Sequence, residues 1–147
     1  MRFDLTDEQA AVQAMARDFA RSEIRPVALE IDRDARFPHE TVKRMGELGL
    51  MGIAVPERWG GAGSDMVSYV VALEEIARVC ASHAVVMSVN NSLYGYPVLT
   101  YGTDAQRERF LKPVASGQAH GCFALTEPQA GSDARNQATL ARCDGAD

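Results

Sequence analysis

The chain has 147 residues, of which 46% are hydrophobic and 24% are charged, and this is the composition of one ordinary globular domain. Its 15 basic and 20 acidic residues give a net charge of −5, and the basic residues form no run, which argues against a nucleic-acid or anionic-membrane partner. No apolar stretch reaches the roughly 20 residues of a membrane span, and the N-terminus carries acids where a signal peptide would be apolar. Neither the three cysteines nor the three histidines have metal-ligand spacing, so we expect no metal site and a reducing, cytoplasmic location.

The first part of the sequence is dominated by helix signals. Thr6 and Gln9 have the spacing of a capping box, which predicts the beginning of a first helix. Apolar residues then recur with a helical period, and Pro26 predicts an interruption. A second helix is predicted from Pro38 to about Gly49, because proline is favoured in the first turn of a helix and glycine just after the last.

A glycine-rich loop over residues 60–64 separates these helices from the next one. It lacks the Lys-Ser/Thr pair of a phosphate-binding P-loop and follows no convincing strand, so a structural turn is favoured over a phosphate site. Asp65 predicts the N-cap of the following helix, whose apolar face is predicted to include Val70.

Two further helices follow along the chain. One is predicted to begin at Ser82 and to be broken by Gly95 and Pro97. The other is predicted to begin after a second capping box at Thr103 and to end at Pro113 or Gly117.

The sequence changes character near Ser116. A short apolar run over residues 121–126 predicts a buried strand, and an alternating run over residues 139–143 predicts a second strand, with a hairpin turn at residues 144–145. A hairpin turn without a return strand leaves backbone groups unpaired, so we expect the chain to be the N-terminal part of a longer protein.

Several titratable residues have a plain structural interpretation. Glu74 and Glu75 are adjacent on a helix and their side chains point about 100° apart, so they predict solvent-facing positions or an ion pair with Arg78 and not a paired catalytic site. His83 is expected at the surface or at a domain boundary. Cys122 is expected to pack within its strand as a small apolar group.

Residues 123–133 form the segment whose chemistry indicates a ligand. Thr126 presents a hydroxyl at the end of a predicted strand, a turn with free amides follows, and Ser132 adds a second hydroxyl. This arrangement suits the polar edge of a flat ring together with a phosphate. On residue chemistry alone, the alternative is an ordinary strand end followed by a capped turn.

Several segments, in order along nearly the whole chain, resemble the flavin-dependent acyl-CoA dehydrogenases. They are LTDEQ at residues 5–9, PERWGGAG at residues 56–63, EEIA at residues 74–77 and, most specifically, FALTEPQAGSDA at residues 123–134. MSVNNSLY at residues 87–94 is most similar to the short-chain, butyryl-CoA branch of that family.

The resemblance implies a mainly α fold. Residues 1–116 would form the N-terminal all-helical domain, and residues 117–147 would begin the middle β-barrel-like domain with its first strands. A C-terminal helical bundle completes the subunit in this family, and the subunits assemble as tetramers.

The resemblance also implies FAD as the cofactor and an acyl-CoA thioester as the substrate. Ser132 would touch the CoA portion of the substrate as well as the cofactor, and Val86, Asn90 and Leu93 would line the acyl pocket. The implied FAD contacts are Phe123, Ala124, Leu125, Thr126, Gly131 and Ser132.

The family reaction is α,β-dehydrogenation of the thioester in fatty-acid β-oxidation, with electrons passed to an electron-transfer flavoprotein. The resemblance places the glutamate base beyond residue 147, so we expect no catalytic residue in this chain and no activity from it alone. Two alternatives stay open, namely a truncated, non-enzymatic helical binding module and an acyl-CoA oxidase-like flavoenzyme.

Overall fold

The computed structural model describes residues 4–145, and the fold is mainly helical, as the sequence predicts. The α-helices are α1 Asp7–Phe19, α2 Ala28–Arg33, α3 His39–Glu47, α4 Met66–Ala77, α5 Ala81–Ser88, α6 Tyr96–Tyr101, α7 Asp104–Gln106 and α8 Lys112–Ala115. The π-helical segments are Ala20–Ile24, Val89–Gly95 and Arg107–Leu111, and the 3₁₀ segments are Leu50–Gly52 and Glu57–Trp59.

The predicted helix caps are present. The Thr6 hydroxyl accepts from the backbone N–H of Gln9 at 3.2 Å while the Gln9 side chain accepts from the backbone N–H of Thr6 at 3.0 Å, and Thr103 begins α7 in the same way. The Asp65 carboxylate accepts from the backbone N–H of Ser68 at 2.7 Å and begins α4. These caps are confirmed because each is a local pattern that needs no tertiary information.

The expected break at Gly95 and Pro97 is wrong. Helical backbone continues from α5 through the π-helical segment Val89–Gly95 into α6, and Gly95 itself has right-handed helical angles, with φ −63° and ψ −47°. Pro97 is the second residue of α6, directly after the π-helical segment, and it does not end the helical backbone there. Glycine does end the last helix, since Gly117 follows α8 at φ 76°.

The main core lies between α1, α4 and α5. Phe19 of α1 and Ala72 and Ile76 of α4 are buried in it, with α1 packed along α4 and α5 packed against α4. The predicted face of α4 is only partly correct, because Val70 is 48% exposed whereas Val71 is buried. A helix packed against two neighbours buries more than one stripe, so a single apolar face does not describe it.

The glycine-rich loop is a structural turn, as predicted. The backbone N–H groups of Ala62, Gly63 and Ser64 donate to carbonyl oxygens within the chain at 2.9, 2.9 and 2.8 Å, so they are not available to a phosphate. A Cβ at Gly61 would lie 2.1 Å from the carbonyl oxygen of Val55, so the backbone approach requires glycine there.

The strands expected over residues 121–126 and 139–143 are not formed in the part of the chain that the structure describes. An isolated antiparallel bridge joins Glu127 and Ala130, and most residues from 117 onward are exposed, including Cys122. A strand needs a neighbouring strand to pair with its backbone groups, and no described segment lies in that position. The return after the turn at residues 144–145 lies outside the described residues.

Within residues 4–145, no helix combines the length and the apolar character that crossing a membrane requires.

Candidate functional site

The Asn90 side chain joins three segments of the chain. It is buried, and its Nδ2 donates to the carbonyl oxygens of Met51 at 2.8 Å and Val114 at 3.2 Å. Its Oδ1 accepts from the backbone N–H of Gly121 at 2.9 Å. Backbone groups therefore engage both ends of this amide, and the fold, not a ligand, uses its polar atoms.

The chain passes close to Tyr94 as it leaves the helical part. A Cβ at Gly121 would lie 2.3 Å from Cγ of Tyr94, so only glycine fits at this crossing. The neighbouring ring of His120 lies 5.7 Å from the ring of Phe37, measured between centroids. Residues 120 and 121 are thus held against the helices directly before the predicted flavin-contacting residues.

The predicted flavin-contacting residues are exposed to solvent. Phe123 is 50% exposed, and Ala124, Leu125, Thr126, Gly131 and Ser132 are exposed as well. The bridge between Glu127 and Ala130 turns the chain back, so Thr126 and Gly131 lie on either side of one tight turn. Within residues 4–145, the hydroxyls of Thr126 and Ser132 and the backbone N–H of Gly131 form no hydrogen bond, so these donors remain available.

The Glu127 carboxylate holds this turn to the chain that follows it. It accepts from the backbone N–H groups of Ala138 at 2.8 Å and Thr139 at 3.1 Å, and also from the Thr139 hydroxyl and the Gln129 amide. The Thr139 hydroxyl and these amides stabilise the charged form and lower the pKa of Glu127 to about 2. The sequence places Glu127 within the motif but does not reveal that it closes the loop.

The residues predicted to line an acyl pocket do not share one face. Val86 borders an open groove beside Phe37, Asn90 is buried, and Leu93 is 44% exposed. The π-helical segment Val89–Gly95 explains the difference, because its i→i+5 hydrogen bonds alter the angular spacing that would align positions 86, 90 and 93 on an α-helix. Val86 and Leu93 keep accessible apolar surface.

An apolar cavity of about 260 Å³ lies beside the same helix. It was not predicted, because its walls come from three stretches that are far apart in the sequence. None of the predicted acyl-pocket residues lines it. The lining residues are Ala54, Val55, Met66, Tyr69, Asn91, Ser92, Tyr96 and Leu99.

His83 is fully buried, and the expectation that it lies at the surface or a boundary is wrong. Its Nε2 lies 2.6 Å from the Thr41 hydroxyl and its Nδ1 lies 3.1 Å from the Cys80 sulfur. Burial lowers the pKa of His83, because desolvation disfavours the imidazolium form. The histidine bridges α3 and α5 as a polar core residue, which no local sequence pattern indicates.

Glu75 is also more buried than its sequence position suggests. Its side chain is only 4% exposed, and its Oε1 accepts from Nη2 of Arg17 at 2.9 Å while Nη1 of Arg78 lies 4.0 Å away. The Arg17 guanidinium lowers the pKa of Glu75 through this hydrogen bond. The predicted ion pair with Arg78 is therefore present, but the stronger partner is Arg17 from α1.

Comparison with known proteins identifies the family of the chain. The family described as acyl-CoA dehydrogenase, N-terminal domain, matches residues 6–118, and the chain belongs to the acyl-CoA dehydrogenase family. The mitochondrial short-chain specific acyl-CoA dehydrogenase of Bos taurus is 50% identical over 142 residues, which are 97% of this chain and 34% of that protein. The chain spans about a third of the length of the curated relatives it matches.

Solved structures show the same fold. A chain in a structure described as the electron transferring flavoprotein of Acidaminococcus fermentans superposes with a TM-score of 0.95 and is 39% identical, over 99% of this chain and 38% of that one. The acyl-CoA dehydrogenase of Bacillus anthracis complexed with FAD superposes with a TM-score of 0.81 and 31% identity, over 91% of this chain and 23% of that one. The resemblance carried by the sequence motifs is thereby confirmed.

Proposed function

We propose that this chain is the N-terminal portion of an FAD-dependent short-chain acyl-CoA dehydrogenase. Residues 1–116 would be its helical domain, and residues 117–147 would begin the middle domain. The observation that carries the proposal is the bond between Asn90 and Gly121, which fixes the exposed donor-rich segment beside the helix that presents Leu93. The similarity to the short-chain enzyme of Bos taurus supports the substrate class.

The exposed groups of this segment fit FAD. Phe123 and Leu125 offer apolar surface to a planar ring, and the unbonded hydroxyl of Thr126 can donate to the polar edge of that ring. The free N–H of Gly131 and the hydroxyl of Ser132 suit the oxygens of a pyrophosphate. A Cβ at Gly131 would meet nothing within 4 Å, so the backbone there is open to a ligand.

FAD, when bound, supplies the two-electron redox chemistry of thioester dehydrogenation. The residues of this chain bind and orient. The apolar surfaces of Val86 and Leu93 would border the acyl chain, Ser132 would contact the CoA portion, and Glu127 keeps the turn in shape through its hydrogen bonds to Ala138 and Thr139. The proton-abstracting base belongs to the rest of the protein in this proposal.

The proposal also covers the electron acceptor, the oligomeric state and the location of the enzyme. Electrons would pass to an electron-transfer flavoprotein, as the similarity to the Acidaminococcus fermentans chain supports, and the reaction would serve fatty-acid β-oxidation. The complete enzyme would be a tetramer. The proposed location of the enzyme is the cytoplasm, as the sequence predicts.

Alanine at both Thr126 and Ser132 in the full-length enzyme tests the cofactor assignment. Because two hydroxyl donors would be lost, we expect FAD to bind about tenfold more weakly or worse, measured as flavin absorbance per protein after equilibrium dialysis. Alanine at Ser82 and Thr100, two other accessible hydroxyl-bearing residues, is the matched control and should leave FAD binding unchanged. Equal FAD binding by the two double variants would contradict the proposal.

A further inference from the structure

A positively charged cleft of about 280 Å³ lies between α1 and the end of α4. Arg17 lies in α1, Arg21 lies in the π-helical segment that continues it, and Arg25 directly follows that segment. Arg78 follows the last residue of α4. The sequence has no run of basic residues and so does not predict this cleft. The arginines become neighbours only when α1 packs along α4. The lining residues are Arg17, Arg21, Arg25, Glu75, Arg78 and Val79.

Glu75 organises the floor of this cleft. Its buried carboxylate binds Arg17 at 2.9 Å and so fixes one guanidinium group, while the exposed Arg78 lies 4.0 Å away. Four arginines facing one carboxylate leave three positive charges concentrated on a chain whose net charge is −5. Arg21 and Arg25 are exposed and form no ion pair with any residue between 4 and 145.

This arrangement costs stability. Arg21 and Arg25 add positive charge beside the pair of Arg17 and Glu75, and like charges that line one cleft repel one another. Glu75 offsets only part of this repulsion, and the positive charge that remains favours an anionic ligand in the cleft. Guanidinium groups donate paired, parallel hydrogen bonds to phosphate oxygens. The volume of the cleft equals that of roughly nine waters at about 30 Å³ each, so two linked phosphoryl groups fit in it.

We propose that this cleft is a binding site for a small molecule that carries a diphosphate, with Arg21 and Arg25 as the principal contacts, Arg17 fixed by Glu75 and Arg78 at the edge of the cleft. The site is independent of the FAD assignment, since it uses no residue of the segment 123–132. The carboxylates of an acidic protein could also pair with these arginines. Titrations with pyrophosphate and with hexaglutamate distinguish the two kinds of ligand.

Calorimetric titration of the 147-residue chain with pyrophosphate at constant ionic strength tests this proposal. Glutamine at both Arg21 and Arg25 should weaken pyrophosphate binding at least tenfold. The matched control is glutamine at Arg33 and Arg36, which removes the same two charges from arginines that pair with Asp34 and Glu30 outside the cleft. The control should change the affinity less than twofold, and an equal loss in both variants would show unspecific attraction and overturn the proposal.

Two further measurements keep the result unambiguous. Without ligand and at low salt, the variant at Arg21 and Arg25 should melt at the same temperature as the unmodified chain or higher, because it relieves repulsion. A lower melting temperature would assign the two arginines to the fold and overturn the proposal. Binding of hexaglutamate as tight as that of pyrophosphate would identify a surface for acidic proteins instead, and failure of pyrophosphate to bind would exclude the site.

Discussion

Asn90 shows how one buried amide fixes the relation between two parts of the molecule. Its side chain binds Met51, at the 3₁₀ segment, Val114, in α8, and Gly121, where the chain leaves the helices. Both N–H groups of this amide are donated to backbone carbonyls, and Oδ1 accepts from a third backbone group. The acyl-pocket role of Asn90 stays a prediction, and we infer that its contribution would be to position the backbone of Met51, Val114 and Gly121.

Alanine at position 90 should lower the free energy of unfolding by about 2–4 kcal/mol. The reason is that the carbonyl oxygens of Met51 and Val114 and the N–H of Gly121 would lose their partner in a place shielded from water. Urea denaturation followed by circular dichroism measures the change. Alanine at the exposed Asn136 is the control, with an expected change within about 0.5 kcal/mol, and a change below about 1 kcal/mol for Asn90→Ala would be inconsistent with this role.

At the scale of elements, the loop from Glu127 to Thr139 is the least regular and the most dependent on a single charge. It contains no helix or strand in the described chain, yet its two ends are joined by the Glu127 carboxylate. The bonds that join the two ends weaken when that carboxylate is protonated, because a protonated acid accepts fewer hydrogen bonds.

The loop should therefore loosen in acid. The pKa of Glu127 is about 2, below the ordinary value of 4.5. Glu127 is therefore protonated at a lower pH in the folded loop than in an open loop. The contribution of Glu127 is complete above pH 4.5 and is lost as the pH falls towards 2. Exchange of the Ala138 and Thr139 amides, followed by NMR, should accelerate over that interval relative to other exposed amides.

Glutamine at position 127 should abolish this pH dependence and expose the two amides at every pH. Glutamine at Glu40, an exposed glutamate of α3, is the matched control and should leave the exchange profile of the loop unchanged. Identical profiles for Glu127→Gln and the unmodified chain would show that the loop is held by other contacts.

At the scale of the whole molecule, the features that the sequence predicts are those with local causes. The caps at Thr6, Asp65 and Thr103 and the turn at residues 60–64 depend on neighbours a few residues away, and the structure contains each of them. Buried Glu75 and His83 could not be predicted, because each is satisfied by a partner on another helix, 58 and 42 residues away in the sequence. Strand pairing likewise depends on partners that no described segment provides.

The distribution of the core leads to a final prediction about domain organisation. Leu111, Val114 and Ala115 are buried against the helices, whereas Ala130 alone is buried among the hydrophobic residues from 117 to 145. A chain of residues 1–122 keeps every helix and the bond between Asn90 and Gly121. Its free energy of unfolding should therefore stay within about 1 kcal/mol of that of the full chain, because few buried groups are removed.

A chain of residues 1–110 is the informative comparison, because it lacks Leu111, Val114 and Ala115. Removing one buried leucine side chain costs about 2–5 kcal/mol, so this shorter chain should be destabilised by at least that amount or fail to fold. Urea denaturation of the three lengths measures both steps. A large loss of unfolding free energy in the chain of residues 1–122 would show that residues beyond 122 belong to the helical domain. The proposed boundary at residues 116 and 117 would then have to move towards the C-terminus.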